Sequence, residues 1–434
     1  MNSKNKNTNL VNALVSNTEG EIFDLEGYAA VGMAGQQLVP LTCENTIKMP
    51  FGGELMFLPD RIPLLYNMNE ERIELIDTNP YFPEEPIFPV AAFNSPGYVN
   101  SYACAYEEDD DADFLPLFSY GAVGWHDESF RSSVILVDSE RRQDLRLMKP
   151  EKVKSGVKEI RKKMPSNRLE KHLEKCALEY GCPAAKNFFL GRYEAPLPTS
   201  VSCNANCLGC ISLQKEKRVS VCQERISFTP KPEEIAEIAL EHISKVKNSV
   251  VSFGQGCEGD PIFAAHVIEP AIKIIRSQTP DGTINMNTNA SKPDVIETLF
   301  NAGLDTIRVS INSVREECYE AYFRPNGYTI SDVKKTIDTA NRMGRLVSIN
   351  YLNCPGFTDS PEEIDALFNF LENHTISLIQ WRNLNFDPAR YYKIMCDVSA
   401  NTTPIGLKKV LELIRKSFPD VKHGYFNPPK EKMI

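Results

Sequence analysis

From about residue 195 to residue 390 the chain alternates short apolar runs with amphipathic ones, and that alternation leaves few folds open. The apolar runs lie near Leu197 to Val201, Val250 to Gly254, Thr283 to Thr288, Thr306 to Ile311, Leu346 to Leu352 and Leu378 to Leu384. They are rich in Val and Ile, as expected of parallel strands covered on both faces. Between them, Pro232 to Val246 carries Ile235, Ile238, Ala239, His242, Ile243 and Val246 at helical spacing. His242 therefore reads as a packed side chain on an apolar stripe and not as a ligand. Pro361 to Leu371 reads as a further helix, with Ser360 placed to cap it. Six strands, each followed by helical sequence, predict an α/β protein with a partial (β/α)6 TIM-like barrel, whose chemistry gathers where strands end and loops begin.

The rest of the chain is patterned differently. Residues 1–150 read as a mainly β N-terminal domain of unknown function, with short alternating runs such as Ser132 to Asp138 and few long amphipathic helices. The run Glu107 to Asp113 (EEDDDAD) reads as a solvated acidic loop. Residues 151–194 read as a basic helical linker, and 391–434 as a C-terminal helix and tail. Over 141–175 there are 13 Lys or Arg against 5 Asp or Glu, in a chain of net charge −10. Without interleaved aromatics, the basic run reads as a solvated helical face before it reads as an RNA surface. The overall acidity argues against general binding to a nucleic-acid backbone. The opening MNSKNKNTNL has no apolar run after its basic start, and no stretch reaches the length of a membrane helix. These features lead us to expect a cytoplasmic protein that is not membrane-bound.

The 12 cysteines are scattered except for one cluster, SVSCNANCLGCIS, which sets Cys203, Cys207 and Cys210 at C-x3-C-x2-C spacing. The intervening residues are small or polar, which lets a loop wrap several thiolates around one inorganic centre. A structural zinc site wants four ligands, and a [4Fe-4S] cube normally takes four cysteines. No His lies in the loop, and Cys222 is twelve residues beyond Cys210. Three thiolates on a cube leave one iron open for a small molecule, as catalysis requires.

This pattern resembles the cluster motif of the radical S-adenosylmethionine superfamily, a resemblance that covers about residues 195 to 390. It implies a [4Fe-4S] cluster on Cys203, Cys207 and Cys210, and S-adenosyl-L-methionine at the open iron. It also implies reductive cleavage of that cofactor to start radical chemistry, with electrons from a flavodoxin or ferredoxin. The family often has an aromatic residue just before the third cysteine; here it is Gly209. After the second strand, FGQGCEGDP (Phe253 to Pro261) resembles the family's glycine-rich segment that holds the methionyl amino group. Gly256 would allow close approach of the backbone, and either Glu258 or Asp260 takes the acidic role. The third strand ends with Asn287 and Asn289. In the fourth, Arg308, Ser310 and Asn312 alternate onto one face, and the resemblance implies ribose and carboxylate contacts there. Asn350, Asn353, Gln380, Arg382 and Asn383 follow at the ends of the fifth and sixth strands, facing cofactor or substrate.

Cys257 and Cys354 fall in strand-end loops and are candidates for a catalytic thiol or an auxiliary cluster ligand, with burial as small apolar side chains the plainer alternative. Cys176 and Cys182, in EKCALEYGCPAAKN, could ligate a second cluster. Two rival functions stay open: a radical enzyme acting on RNA, and a non-catalytic iron–sulfur or zinc protein. The substrate is not legible.

Overall fold

The computed structural model describes residues 9–214 and 219–433. Residues 1–8, most of the opening segment in which no leader is read, lie outside them. The chain divides into two compact units that do not follow chain order. One comprises Met1–Val137, Leu352–Ala366 and Trp381–Ser417; the other comprises Asp138–Tyr351, Leu367–Gln380 and Phe418–Ile434.

The basic stretch folds as three helices, α1 (Pro150–Lys163), α2 (Arg168–Leu178) and α3 (Pro183–Phe189). Asn167 caps α2 by accepting from the Glu170 amide at 3.0 Å. Much of the positive charge is paired. Arg168 meets Glu234 at 2.6 Å, Lys163 meets Glu241 at 2.9 Å, Lys175 meets Glu224 at 2.7 Å, and Arg161 meets Glu174.

The sheet that follows has seven strands in chain order: β1 (Glu194–Pro196), β2 (Val250–Phe253), β3 (Thr283–Thr288), β4 (Thr306–Ile311), β5 (Leu346–Asn353), β6 (Leu378–Asn383) and β7 (Lys422–Gly424). It forms a parallel half-barrel, and β2 and β3 are buried at every residue. Two details depart from the sequence reading. The first strand is Glu194–Pro196 and not Leu197 to Val201: Leu197 still donates to the Ser252 carbonyl at 2.8 Å, but Pro198 has no N–H to continue the ladder and the Thr199 and Ser200 amides turn to Glu258. The seventh strand, Lys-His-Gly, is too short and polar to register as a pattern, and it lies in what reads as a tail.

Helices α4 (Pro232–Lys245), α5 (Ala265–Gln278) and α6 (Pro293–Ala302) separate the first four strands. Between β4 and β5 lie α7 (Glu316–Phe323) and α8 (Ile330–Arg342). Helix α9 (Pro361–Asn373) comes before β6, and Ser360 Oγ accepts from the Glu363 amide at 3.4 Å at its start. On α4, His242 is 1% exposed and its Nε2 donates to the Tyr193 carbonyl at 3.2 Å.

The other unit is mostly antiparallel β. The long strand Ile22–Ala34 pairs with Asn12–Ser16 on one side and Arg61–Asn67 on the other. Ala13, Val15, Leu25, Leu65 and Ile87 form one of its apolar clusters. The acidic run is not simply solvated. Its first residues complete a strand, Tyr106–Glu108, and Glu108 pairs with Arg61 at 3.3 Å and with Arg390. Among the described residues no helix is long and apolar enough to cross a membrane.

Candidate functional site

The three cysteines sit in the loop after β1, and that loop is held from several sides. The Asn206 and Leu208 amides donate to the carbonyls of Phe323 and Tyr322 at 2.9 and 3.1 Å, so the last turn of α7 serves as its backstop. Cys210 N donates to Cys207 O at 3.3 Å, a turn that brings the second and third thiols round. The thiols are close enough to act on one another electrostatically in all three pairings. Burial pushes the Cys203 thiol up to about 11, with Asp260 adding to the shift; burial and the two neighbouring sulfurs raise Cys207 as well. Polar groups meet the sulfurs, Ser212 Oγ at 3.9 Å from Cys210 Sγ among them. The Ala205 amide lies 3.4 Å from Cys203 Sγ, and Arg225 Nη2 lies 3.6 Å from Cys210 Sγ.

Glu258 ties the β1 loop to the β2 loop. One carboxylate oxygen accepts from the Thr199 and Ser200 amides at 2.7 and 2.9 Å; the other accepts from the Gly254 and Gln255 amides at 2.7 and 2.8 Å. It is 4% exposed, and burial raises its pKa to about 7 against the pull of those four amides. Asp260 ties the β2 loop to the β3 loop, accepting from Thr288 Oγ1 at 2.7 Å, the Asn289 amide at 2.6 Å and the Ile262 amide at 3.1 Å. Asn289 Nδ2 closes the ring by donating to Asn204 Oδ1 at 2.8 Å, inside the cysteine loop. Both acids therefore organise backbone.

Two glycines make this packing possible. Gly254 has φ +78°, and a Cβ there would lie 1.8 Å from the Asn287 carbonyl; one at Gly259 would lie 2.1 Å from that of Ser202. Gly256 packs against Gln223 and Ile211, where a Cβ would meet both at 2.6 Å.

The polar strand faces divide into two groups. Asn285, Asn287, Gln380 and Asn427 bond to one another or to Ser252, and Arg308 Nη1 donates to Gln380 Oε1 at 3.0 Å. These side chains form a structural floor. Asn312 is fully buried, its Nδ2 donating to the Cys318 carbonyl at 3.0 Å. Ser310 and Asn350 are register partners on β4 and β5 and are half-buried; Asn350 Oδ1 is buried without a hydrogen-bond partner. That orphaned acceptor and the three converging sulfurs fit a polar ligand on this sheet and an iron–sulfur cluster at its end.

The remaining candidates lie elsewhere. Asn353 and Asn383 donate through Nδ2 to the Asn100 and Tyr98 carbonyls, within the mostly β unit. Cys354 is 2% exposed in that unit, and its amide donates to Thr358 Oγ1 at 2.9 Å. Cys257 is 5% exposed and lies against Cys176 and His172. Arg225 was missed by the sequence reading, because 212–230 has no periodicity to give it a place. Tyr322 was missed too; its hydroxyl takes a hydrogen bond from the Gly209 amide, so an aromatic ring from α7 stands beside the position where the motif has none.

Residues 197–371 match the family model of the Radical SAM superfamily. The FeMo cofactor biosynthesis protein NifB of Klebsiella pneumoniae is 24% identical over 181 residues, which is 38% of this chain and 38% of that protein. The chain thus spans well under half the length of that curated relative. Among solved structures, the FeFe-hydrogenase maturase HydG from Carboxydothermus hydrogenoformans is similar at 16% identity and TM-score 0.37, over 65% of this chain and 70% of that one. Coproporphyrinogen III oxidase (HemN) from Escherichia coli, described as a radical SAM enzyme, is similar at 12% identity and TM-score 0.36, over 54% and 56%. Residues 197–371, which hold the cysteine loop, thus form a segment of the radical SAM superfamily.

Proposed function

We propose that this protein is a radical SAM enzyme whose [4Fe-4S] cluster is held by Cys203, Cys207 and Cys210. The observation that carries the reading is the convergence of these three thiols in a loop laced to the β2 and β3 loops. When bound, the cluster and S-adenosyl-L-methionine supply one-electron cleavage of the sulfonium and a radical that abstracts hydrogen from substrate. The protein's own residues hold that chemistry in place. Glu258 and Asp260 keep the three loops in register, and Arg225 sets a positive charge beside Cys210. Ser310 and Asn350 offer polar atoms to cofactor or substrate on the sheet. Reduction falls to a flavodoxin- or ferredoxin-type donor.

Anaerobic reconstitution, reduction with dithionite and addition of S-adenosyl-L-methionine test this. The expected result is 5′-deoxyadenosine from the wild type and none from Cys203→Ala, Cys207→Ala or Cys210→Ala. Zinc bound at these three cysteines, with no cofactor cleavage, would reject it.

A further inference from the structure

A second set of metal ligands meets beside the barrel, outside the cysteine loop. His172 and Cys176 are four residues apart on α2 and so share one face. His172 Nε2 lies 3.5 Å from Cys176 Sγ, and the Cys257 thiol of the β2 loop faces both. The three ligand atoms all lie within 4.8 Å of one another. Cys176 is 1% exposed and Cys257 5%, while His172 is half-buried with its ring edge-on to Phe228. A fourth thiol is at hand. Cys182 precedes α3, its amide donates to the Cys176 carbonyl at 2.9 Å, and its side chain interacts electrostatically with both Cys176 and Cys257.

The spacing discriminates between metal centres. In a tetrahedral zinc site, bonds of about 2.3 Å to sulfur and about 2.0 Å to nitrogen put neighbouring ligand atoms roughly 3.5–3.8 Å apart. The His172–Cys176 separation of 3.5 Å falls there. A [4Fe-4S] cube carries each thiolate on a separate iron and spreads its ligands further. The geometry points to a mononuclear zinc site formed by His172, Cys176 and Cys257, with the fourth position open to Cys182 on a turn of its side chain. Binding displaces the thiol protons. Cys257 adjoins Glu258, so the ion clips α2 to the loop whose carboxylate gathers the Thr199, Ser200, Gly254 and Gln255 amides. Three buried or half-buried protein ligands, with a fourth thiol on the same segment, suit a structural ion.

This inference does not rest on the radical SAM reading, and its test keeps the two apart. Full-length protein, purified anaerobically from zinc-supplemented cells, is assayed for metal by mass spectrometry. One zinc per chain is expected. It should persist in the Cys203→Ala/Cys207→Ala/Cys210→Ala variant and disappear from Cys176→Ser/Cys257→Ser. Cobalt(II) added to metal-stripped protein should develop thiolate-to-cobalt absorption and tetrahedral d–d bands, absent from the same double variant. His172→Cys, which keeps a ligand at that position, should retain zinc, so loss through misfolding is separable from loss of a ligand. Zinc that leaves with the three loop cysteines would overturn the site. So would iron with sulfide on Cys176 and Cys257, or a Cys176–Cys257 disulfide without metal.

Discussion

His242 illustrates how a titratable residue on an apolar stripe behaves once packed. Burial pushes its imidazole down to about 4, opposed by the hydrogen bond to Tyr193 and by Glu194, and aided by Lys245. Its folded value lies below the unfolded value of 6.5, so its contribution to stability is present above pH 6.5 and is lost as pH falls through 4. The full span is worth up to ~3 kcal/mol. Chemical denaturation at several pH values should show the midpoint dropping across that window in the wild type. The drop should shrink in His242→Gln, which keeps a donor for Tyr193 and cannot take up the proton. Equal slopes in the two proteins would show that another group controls acid sensitivity there.

At the level of elements, the site is a matter of loops held at backbone contact. A strand end can present a cysteine loop, but only side chains that bridge neighbouring loops can hold it in one arrangement, and Glu258, Asp260 and Asn204 are those bridges. Gly259 is where two backbones touch, its amide donating to the Ser200 carbonyl at 2.7 Å. Gly259→Ala would put a methyl group into the Ser202 carbonyl and push the Cys203 loop away. We expect a loss of about 1–3 kcal/mol from such overpacking and a severalfold fall in iron retained after reconstitution, read by iron and sulfide analysis. Full iron loading with an unchanged unfolding midpoint would show that the loop yields at no cost. The spacing of FGQGCEGDP marked this loop as important; that both of its acids serve backbone amides appears only once the neighbouring loops are folded beside it.

For the molecule as a whole, the organisation departs most from chain order. The mostly β unit takes in residues from the far end of the chain, and one buried cluster shows how. Arg61 is 2% exposed and meets Asp387 at 3.2 Å; Tyr106 donates to the same carboxylate at 2.7 Å; Asp387 also caps the helix Pro388–Val398 through the Ala389 and Arg390 amides. Asp387→Ala strands the Arg61 guanidinium and uncaps the helix, and should cost about 3–5 kcal/mol. Limited proteolysis and thermal unfolding should show this unit opening early, with zinc and iron content unchanged. An unaltered unfolding profile would mean that Glu108 alone satisfies Arg61.

Features set by neighbours in the sequence were readable from it. Cys203, Cys207 and Cys210 lie within one loop, so their spacing alone marked them as a candidate ligand set. The strands β2 to β6 were readable because burial on both faces demands continuous apolar runs, and α4 because its apolar stripe repeats at helical spacing. Features set by partners distant in sequence were not. The roles of Glu258 and Asp260, the sharing of Arg308 and Gln380, and the ion pairs of the basic helices depend on which groups the fold brings within hydrogen-bond reach. The same holds for the meeting of His172 and Cys176 with Cys257, on a helix before the barrel and a loop within it. Local spacing carries no information about such encounters. Hydrogen bonds and metal coordination act over a few ångströms, and only the packed chain decides which atoms come that close.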